Sequence, residues 1–260
     1  MVSFAEGWET QRRVISALMI RELLTRFGRE NIGFLWMMVE PLLFAGLVGI
    51  LWRFMKGPEE HGINIFAFVA SGYIPLTLFR HVVSRCLRVF SVNGSLMYHR
   101  QIKIVDFILV RFLIEMIGAM MAFVFIAAVL GVLGEFPFPA DMGALIEGWL
   151  LYCLFSFSLC LVLAPLSELS EVIEKLIPVS TYVMIPFAGT FTMTSWLSPE
   201  AQRVVYYSPF VHAMELIRYG VFGPGVNAQW DISVPLVASM ALMLIGLVMC
   251  RRIRRHLVVE

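Results

Sequence analysis

Six long apolar runs decide what this chain can become. Their bounds are Gly33–Trp52, Ile63–Val83, Phe107–Val132, Ala144–Leu166, Leu176–Trp196 and Ile232–Cys250. A helix that crosses a bilayer needs roughly 20 predominantly apolar residues, and each run approaches or exceeds that length. The third is long enough to tilt or to emerge from the bilayer. Composition agrees. Of 260 residues, 59% are hydrophobic and only 15% charged, with a mean hydropathy of +0.81. A soluble domain is about 25% charged and could not cover this much apolar surface. The expected fold is therefore an all-α integral membrane domain occupying residues 1–260, with six transmembrane helices.

The few charges give the direction. With the N-terminus in the cytoplasm, 16 of the 20 lysines and arginines fall on the inner side. Arg53, Lys56, Arg203 and Arg218 fall outside. The positive-inside rule then places both termini in the cytoplasm. The first thirty residues carry alternating charges and no compact apolar core with a cleavage site, so no removable signal peptide is expected.

Three segments are not plain spans. Residues 5–30 read as an amphipathic helix on the membrane surface, with Ile20, Leu23, Leu24 and Phe27 as one stripe. Val14, Ile15 and Leu18 point from the other side of the wheel. Such a helix either bends or meets different neighbours with its two halves; a simple charged anchor is the plainer alternative. Residues 91–105 begin with the turn signal Asn93-Gly94-Ser95 and continue into a mixed apolar and basic stretch. That pattern suits a short helix serving as a handle for a soluble partner, or a solvated loop. In residues 197–223, Pro199 and Pro209 follow Ser198 and Ser208, each a helix-start pair. Two short amphipathic helices are expected there, re-entrant or interfacial and supported by protein.

Chemistry-bearing motifs are absent. There is no Gly-Lys phosphate loop, no HExxH, no CxxC and no G-x-S-x-G. Cys86, Cys153, Cys160 and Cys250 have no paired spacing and read as small buried hydrophobes. His212 and Glu215 could form half a metal site, but a helix-face hydrogen bond, or an ion pair of Glu215 with Arg218, is the simpler reading. Net charge +1 offers no basic field for nucleic acid. Ionisable residues inside spans mark functional positions. Glu40 lies beside Pro41, Arg111 and Glu115 are one turn apart and expected to neutralise each other, and Glu147 opens the fourth span. Arg80, His81, Arg85 and Arg88 cluster near the inner end of the second, where setting the topology and snorkelling to the interface is the plainer alternative.

Several motifs, in order, resemble one family. They are Arg21-Glu22-Leu23-Leu24-Thr25-Arg26-Phe27-Gly28, Gly33-Phe34-Leu35-Trp36 and Glu40-Pro41-Leu42. Tyr98-His99-Arg100-Gln101 and Ser208-Pro209-Phe210-Val211-His212 with Glu215-Leu216-Ile217-Arg218 complete the set. Together they resemble type-2 ABC exporter permeases, in particular the KpsM-like permeases of group 2 capsular polysaccharide export. The departure is Ser208 where many relatives carry Asn.

The resemblance implies a homodimer with two separate KpsT-like ATPase subunits, which hold the ATP and magnesium, so this chain carries no cofactor and is not itself an enzyme. It implies that residues 5–30 form the cytoplasmic interface helix and that residues 91–105 couple to the ATPase through Tyr98, His99, Arg100, Gln101 and Ile102. Residues 197–223 would be the periplasmic gate pair, carrying His212, Glu215 and Arg218. The cargo would be a lipid-linked, acidic polysaccharide crossing the bacterial inner membrane, handed on to a periplasmic adaptor or co-polymerase. Arg29, Arg80, Arg85 and Arg88 at the inner mouth and Arg53 near the outer would attract its carboxylates. Trp36, Tyr73, Trp196, Tyr206 and Tyr207 would offer ring faces to sugars, with Glu40 on the same path. A neutral O-antigen, a teichoic acid or a small lipid are alternative cargoes. An ion-coupled transporter or channel using Glu40, Glu115 and Glu147, or a membrane-embedded glycan-processing enzyme, are alternatives of another class.

Overall fold

The computed structural model describes residues 4–27, 33–98 and 101–257, and it is almost entirely helical. In chain order, α1 is Phe4–Phe27 and α2 is Gly33–Lys56; a two-residue hairpin follows, β1 Glu59–Glu60 and β2 Ile63–Asn64. Then come α3 Ile65–Cys86, α4 Val89–Val92, α5 Ile104–Val132 and α6 Met142–Leu169. The remainder is α7 Glu171–Val183, α8 Pro199–Val205, α9 Pro209–Phe222 and α10 Ser233–Leu257. Among the described residues, α2, α3, α5, α6 and α10 are long and apolar enough to cross a membrane.

The fifth expected span differs. Leu176–Trp196 is not one continuous helix: α7 stops at Val183, a 3₁₀ turn covers Pro186–Ala188, and another covers Thr194–Trp196. Pro178 inside α7 and Pro186 after it remove two backbone donors, and Gly189 sits in the left-handed region at φ +64°. An apolar run defines burial, while prolines and a left-handed glycine decide whether the backbone stays helical.

Local starts and stops follow the side chains. Asn64 accepts hydrogen bonds from the N–H groups of Phe66 and Ala67 and opens α3; Asp141 accepts from Ala144 and opens α6. His61 and Gly62 both have positive φ, the geometry of a tight two-residue hairpin turn. Ser198 caps α8 as expected. Ser208 departs from its expected cap role: its hydroxyl instead donates to the Phe187 carbonyl, tying α9 to the broken segment.

The most enclosed membrane-length helix is α3. Phe210 of α9 sits at the centre of an aromatic cluster, with its ring centroid 4.6 Å from Phe79, 5.0 Å from Tyr152 and 4.7 Å from Phe155. α9 lies directly on α6, and two glycines permit this. A Cβ at Gly148 would fall 2.7 Å from the Ile217 nitrogen, and one at Gly220 would fall 2.4 Å from the Leu145 nitrogen. Small residues at such crossings are how membrane helices approach closely. α2 and α10 present outward apolar faces, including Leu43, Leu47, Phe54, Val237 and Leu244. Those faces suit lipid or another membrane helix.

Residues 91–105 form no single helix. α4 ends at Val92, a 3₁₀ turn covers Gly94–Leu96, and the chain is extended at Lys103 before α5. Glu168 at the end of α6 accepts from the Phe90 and Ser91 N–H groups at 3.0 and 3.1 Å, and the Arg88 N–H donates to the Ser167 hydroxyl. The segment is therefore bound to α6 from its first residues.

Candidate functional site

At the end of the molecule bearing α1, side chains from α1 and α3 converge on Glu115 of α5, and Glu40 of α2 joins through His81. Glu115 is 2% exposed and ion-paired to Arg26 of α1. Arg85 lies 3.8 Å from it and His81 lies 3.5 Å from it, both on α3. The other nitrogen of His81 is 3.7 Å from Glu40 of α2. This arrangement replaces the expected Arg111–Glu115 pair. Arg111 instead faces Glu22 of α1 at 3.2 Å and donates to the Arg85 carbonyl. The reason is geometric: neighbours one turn apart compete with partners brought in by other helices, and here α1 supplies both. Sequence reasoning missed Glu22 and Arg26 because it treated α1 as a surface element. Their signal is the presence of charges on a face that also carries Leu18 and Leu23.

α1 also resolves its two stripes. Leu18 is buried, and Val14, Ile15, Met19 and Leu23 pack on the core, whereas Ile20 and Leu24 point outward at 59% and 66% exposure. The helix therefore turns one apolar face to its own protein and leaves a second for lipid or a partner. Beside it, a groove of about 570 Å³ runs between α1 and the segment before α5, lined by Val14, Leu18, Arg21, Leu96, Gln101 and Ile102. Arg21 donates to Asn93 at 3.0 Å across one side, and Gln11 donates to Asp106. Of the expected coupling residues, Gln101 and Ile102 line this groove and Tyr98 is fully presented at 84% exposure. His99 and Arg100 lie outside the described residues, as does Arg29.

The expected path residues divide into groups. Tyr73 is buried and stacks on Phe44 of α2 with ring centroids 4.1 Å apart. Arg80 lies roughly 10 Å further along α3, two turns on, with its guanidinium 4.2 Å from the centre of the Tyr182 ring of α7. Its Nε is buried without a hydrogen-bond partner. Glu40 and Trp36 are exposed on α2 beside this band. Glu40, Phe44, Tyr73, Arg80 and Tyr182 thus form a mixed aromatic and charged strip across α2, α3 and α7. Arg85 and Arg88 are instead engaged with carboxylates; Arg88, in a left-handed backbone conformation, reaches Glu174 at 3.7 Å. Phe44 and Tyr182 escaped the sequence reading because aromatic residues inside apolar runs carry no distinguishing pattern.

At the opposite end, Arg53 pairs with Glu135 at 2.7 Å, and Asn64 donates to the other oxygen of that carboxylate. Trp196 lies against His61 and Phe68, at 4.7 and 4.9 Å. Tyr206 is exposed and donates to Asp231 at 3.1 Å, and Tyr207 beside it is 80% exposed. Serine hydroxyl and amide hydrogen bonds from Ser233 hold the Asp231 carboxyl below the usual range.

The expected gate residues are buried connectors. Arg218 is completely buried, donating to the carbonyls of Gly189 and Thr192 at 2.7 and 2.8 Å and to that of Thr190. Its guanidinium lies 3.9 Å from the centre of the Phe68 ring. Glu215 accepts from the Thr194 N–H at 2.7 Å and the Gln229 N–H at 3.0 Å. The expected Glu215–Arg218 ion pair is therefore not formed; both charges are spent on backbone groups of the broken segment and, for Glu215, of the stretch before α10. His212 likewise receives the Asp231 N–H at 3.0 Å and faces the Tyr206 carbonyl at 2.7 Å. Irregular backbone inside an apolar protein must find such partners. Among the described residues, no cluster of His, Cys, Asp or Glu is arranged to hold a metal.

Comparisons with known proteins extend this picture. The family model for ABC-2 type transporters matches residues 13–222. The capsule polysaccharide export inner-membrane protein CtrC of Neisseria meningitidis serogroup B is 38% identical over 247 residues, covering 95% of this chain and 93% of that protein. The protein of the same description from Haemophilus influenzae, BexB, is 35% identical over 249 residues, covering 96% and 94%. The polysialic acid transport protein KpsM of Escherichia coli is more distant, 23% identical over 250 residues with 94% and 95% covered. The KpsM-like resemblance in the motifs thus extends along nearly the whole chain, with higher identity to CtrC and BexB. With five membrane-length helices and a match running from α1 through α9, the chain belongs to the ABC-2 type transporter family.

Proposed function

We propose that this chain is the permease subunit of an ATP-driven exporter that moves a lipid-linked, acidic capsular polysaccharide across the bacterial inner membrane. Two copies form the pathway, and two separate ATPase chains hold ATP and magnesium. Both termini lie in the cytoplasm, so that α1, within residues 5–30, acts as the interface helix and the groove beside residues 91–105 receives the ATPase. Residues 197–223 form the gate on the periplasmic side, where an adaptor or co-polymerase takes the polymer onward.

The observation that carries this reading is the half-buried Arg80 against the exposed Tyr182 ring, with Phe44 and Glu40 alongside and Tyr73 buried behind Phe44. Aromatic faces suit the C–H surfaces of sugar rings, and a guanidinium fork suits a planar carboxylate. α2 and α7 frame the strip with exposed apolar residues such as Leu47, Leu176 and Val179. There a second copy would close the pathway.

Arg80→Gln tests cargo charge. Acidic cargo predicts a severalfold fall in surface polymer with normal membrane levels of the protein. Unchanged export from that variant favours neutral cargo and removes Arg80 from the path.

A further inference from the structure

A cavity opens at the hairpin end of the molecule. It lies between α8, the start of α9 and the stretch before α10, and measures about 370 Å³, at the small end of the roughly 300–1,000 Å³ usual for ligand pockets. Gln202, Arg203, Tyr206, His212, Gln229 and Trp230 are among its walls.

The hydrogen-bonding capacity of each wall residue sorts the rigid from the available. His212 has both ring nitrogens committed to backbone groups, with Nδ1 accepting from Asp231 and Nε2 turned to the Tyr206 carbonyl. It is a fixed wall. Tyr206 is held by its hydroxyl on Asp231 and by edge-on packing against His212 and Tyr207, ring centroids 5.1 and 5.9 Å away, and about half of it stays exposed. Trp230 is braced by Tyr219, ring centroids 4.8 Å apart, and remains 37% exposed. Gln202 gives one N–H to the Leu197 carbonyl and keeps its amide oxygen.

Arg203 is exposed, and among the described residues no carboxylate lies within ion-pairing distance of it. Arg26, Arg85, Arg88 and Arg111 at the other end each face one. An uncommitted guanidinium, two side-chain amides and two braced aromatic rings around one small cavity form a set suited to an anionic sugar. The fork pairs with a planar anion, the amides bond hydroxyls, and the rings cover the apolar face of a pyranose. The neighbouring cavity, lined by Ile185, Phe187, Phe191, Leu197, Val204 and Val205 among others, has aromatic rings but no charged or amide side chain.

We propose that the cavity beside α8 binds one anionic sugar unit of the exported polymer, with Arg203 on its carboxylate and Trp230 and Tyr206 against its ring. This rests on the polysaccharide-export reading and adds to it a subsite beside the gate helices. An acidic unit seated there would hold the chain between strokes and oppose its backward slip.

The test uses the complete transporter, purified with its ATPase, and saturation-transfer NMR with methyl glucuronide and methyl glucoside as probes. The glucuronide is expected to bind more tightly. Arg203→Gln should weaken it by about tenfold, the loss expected for one charged hydrogen-bonding partner, and leave the glucoside unchanged; Trp230→Leu should weaken both. Equal binding of the two sugars, no binding of either, or an Arg203→Gln variant with unchanged glucuronide affinity would overturn the proposal. Surface export in the same strains separates the two readings. Wild-type export by Arg203→Gln, where deletion of the chain abolishes export, removes the subsite and leaves the permease. Export that survives deletion removes the permease reading itself.

Discussion

Glu115 and Arg218 are both buried charges, exposed by 2% and 0%, yet the protein compensates them in opposite ways. Glu115 is met by side chains carried on other helices: Arg26 from α1, and His81 and Arg85 from α3. Arg218 is met by main-chain carbonyls of a segment that has left the helical conformation. A bond between side chains of separate helices can break and re-form as those helices shift. A bond to the backbone of an unwound segment defines that segment's shape. The first arrangement suits a joint between α1 and the spans, and the second suits a fixed frame for α8 and α9.

Removing the frame should have the largest effect. Arg218→Gln leaves several buried carbonyls without a charged donor, and each buried acceptor left unsatisfied costs about 1–3 kcal/mol. The expected outcome is a large drop in thermal stability of the detergent-purified protein and little membrane accumulation. Gly72→Ala attacks the same frame from α3, since its Cβ would fall 2.1 Å from the Thr190 carbonyl oxygen and 2.7 Å from Arg218. If either variant keeps the wild-type melting temperature, the frame is not what holds residues 184–198.

Breaking the joint should cost less stability and more function. Glu115→Gln keeps the shape and removes the charge, so Arg26, His81 and Arg85 lose their common partner. Partial solvent access at Arg85 and His81 limits the stability loss to roughly 1–2 kcal/mol. The sharper prediction is that protease cleavage within α1 accelerates while ATP hydrolysis by the assembled transporter continues without polymer export. Normal coupling in this variant would mean that Glu115 is structural only.

The smallest effect concerns the hairpin. Hydrogen bonds from Asn64 and Arg53 hold the Glu135 carboxyl below the usual carboxylate range. A depressed carboxylate contributes stability above its unfolded value, near 4.3, and that contribution disappears as pH falls through its folded value. The hairpin should therefore loosen only in acid, detectable as faster amide exchange at Ile63 and Asn64. Glu135→Gln should abolish the acid dependence.

The same contrast explains what was legible in the sequence. Hydropathy located the long helices to within a few residues, because lipid demands an unbroken apolar run. Ser198-Pro199 and Pro209 announced the starts of α8 and α9, because an N-cap hydroxyl and a proline at the first turn act locally. The break after Val183 was hidden: Pro178, Pro186 and Gly189 sit in a run as apolar as the true spans, and only Arg218, some thirty residues later, completes the segment. The Glu115 partners were hidden for a related reason. Arg111 is near in sequence, but Arg26 is near in space, and no periodicity connects α1 with α5. The aromatic strip of Phe44, Tyr73 and Tyr182 was half visible, because rings within apolar runs announce burial and not which helices they join.

The most direct test of the central claim is to follow the polymer itself. In a capsulated strain lacking this chain, lipid-linked acidic polysaccharide should accumulate inside the cell and vanish from the surface. The wild-type chain should restore surface polymer, but only in the presence of an active partner ATPase. Surface capsule at normal levels without the chain, or restoration that persists when the ATPase cannot hydrolyse ATP, would contradict the account.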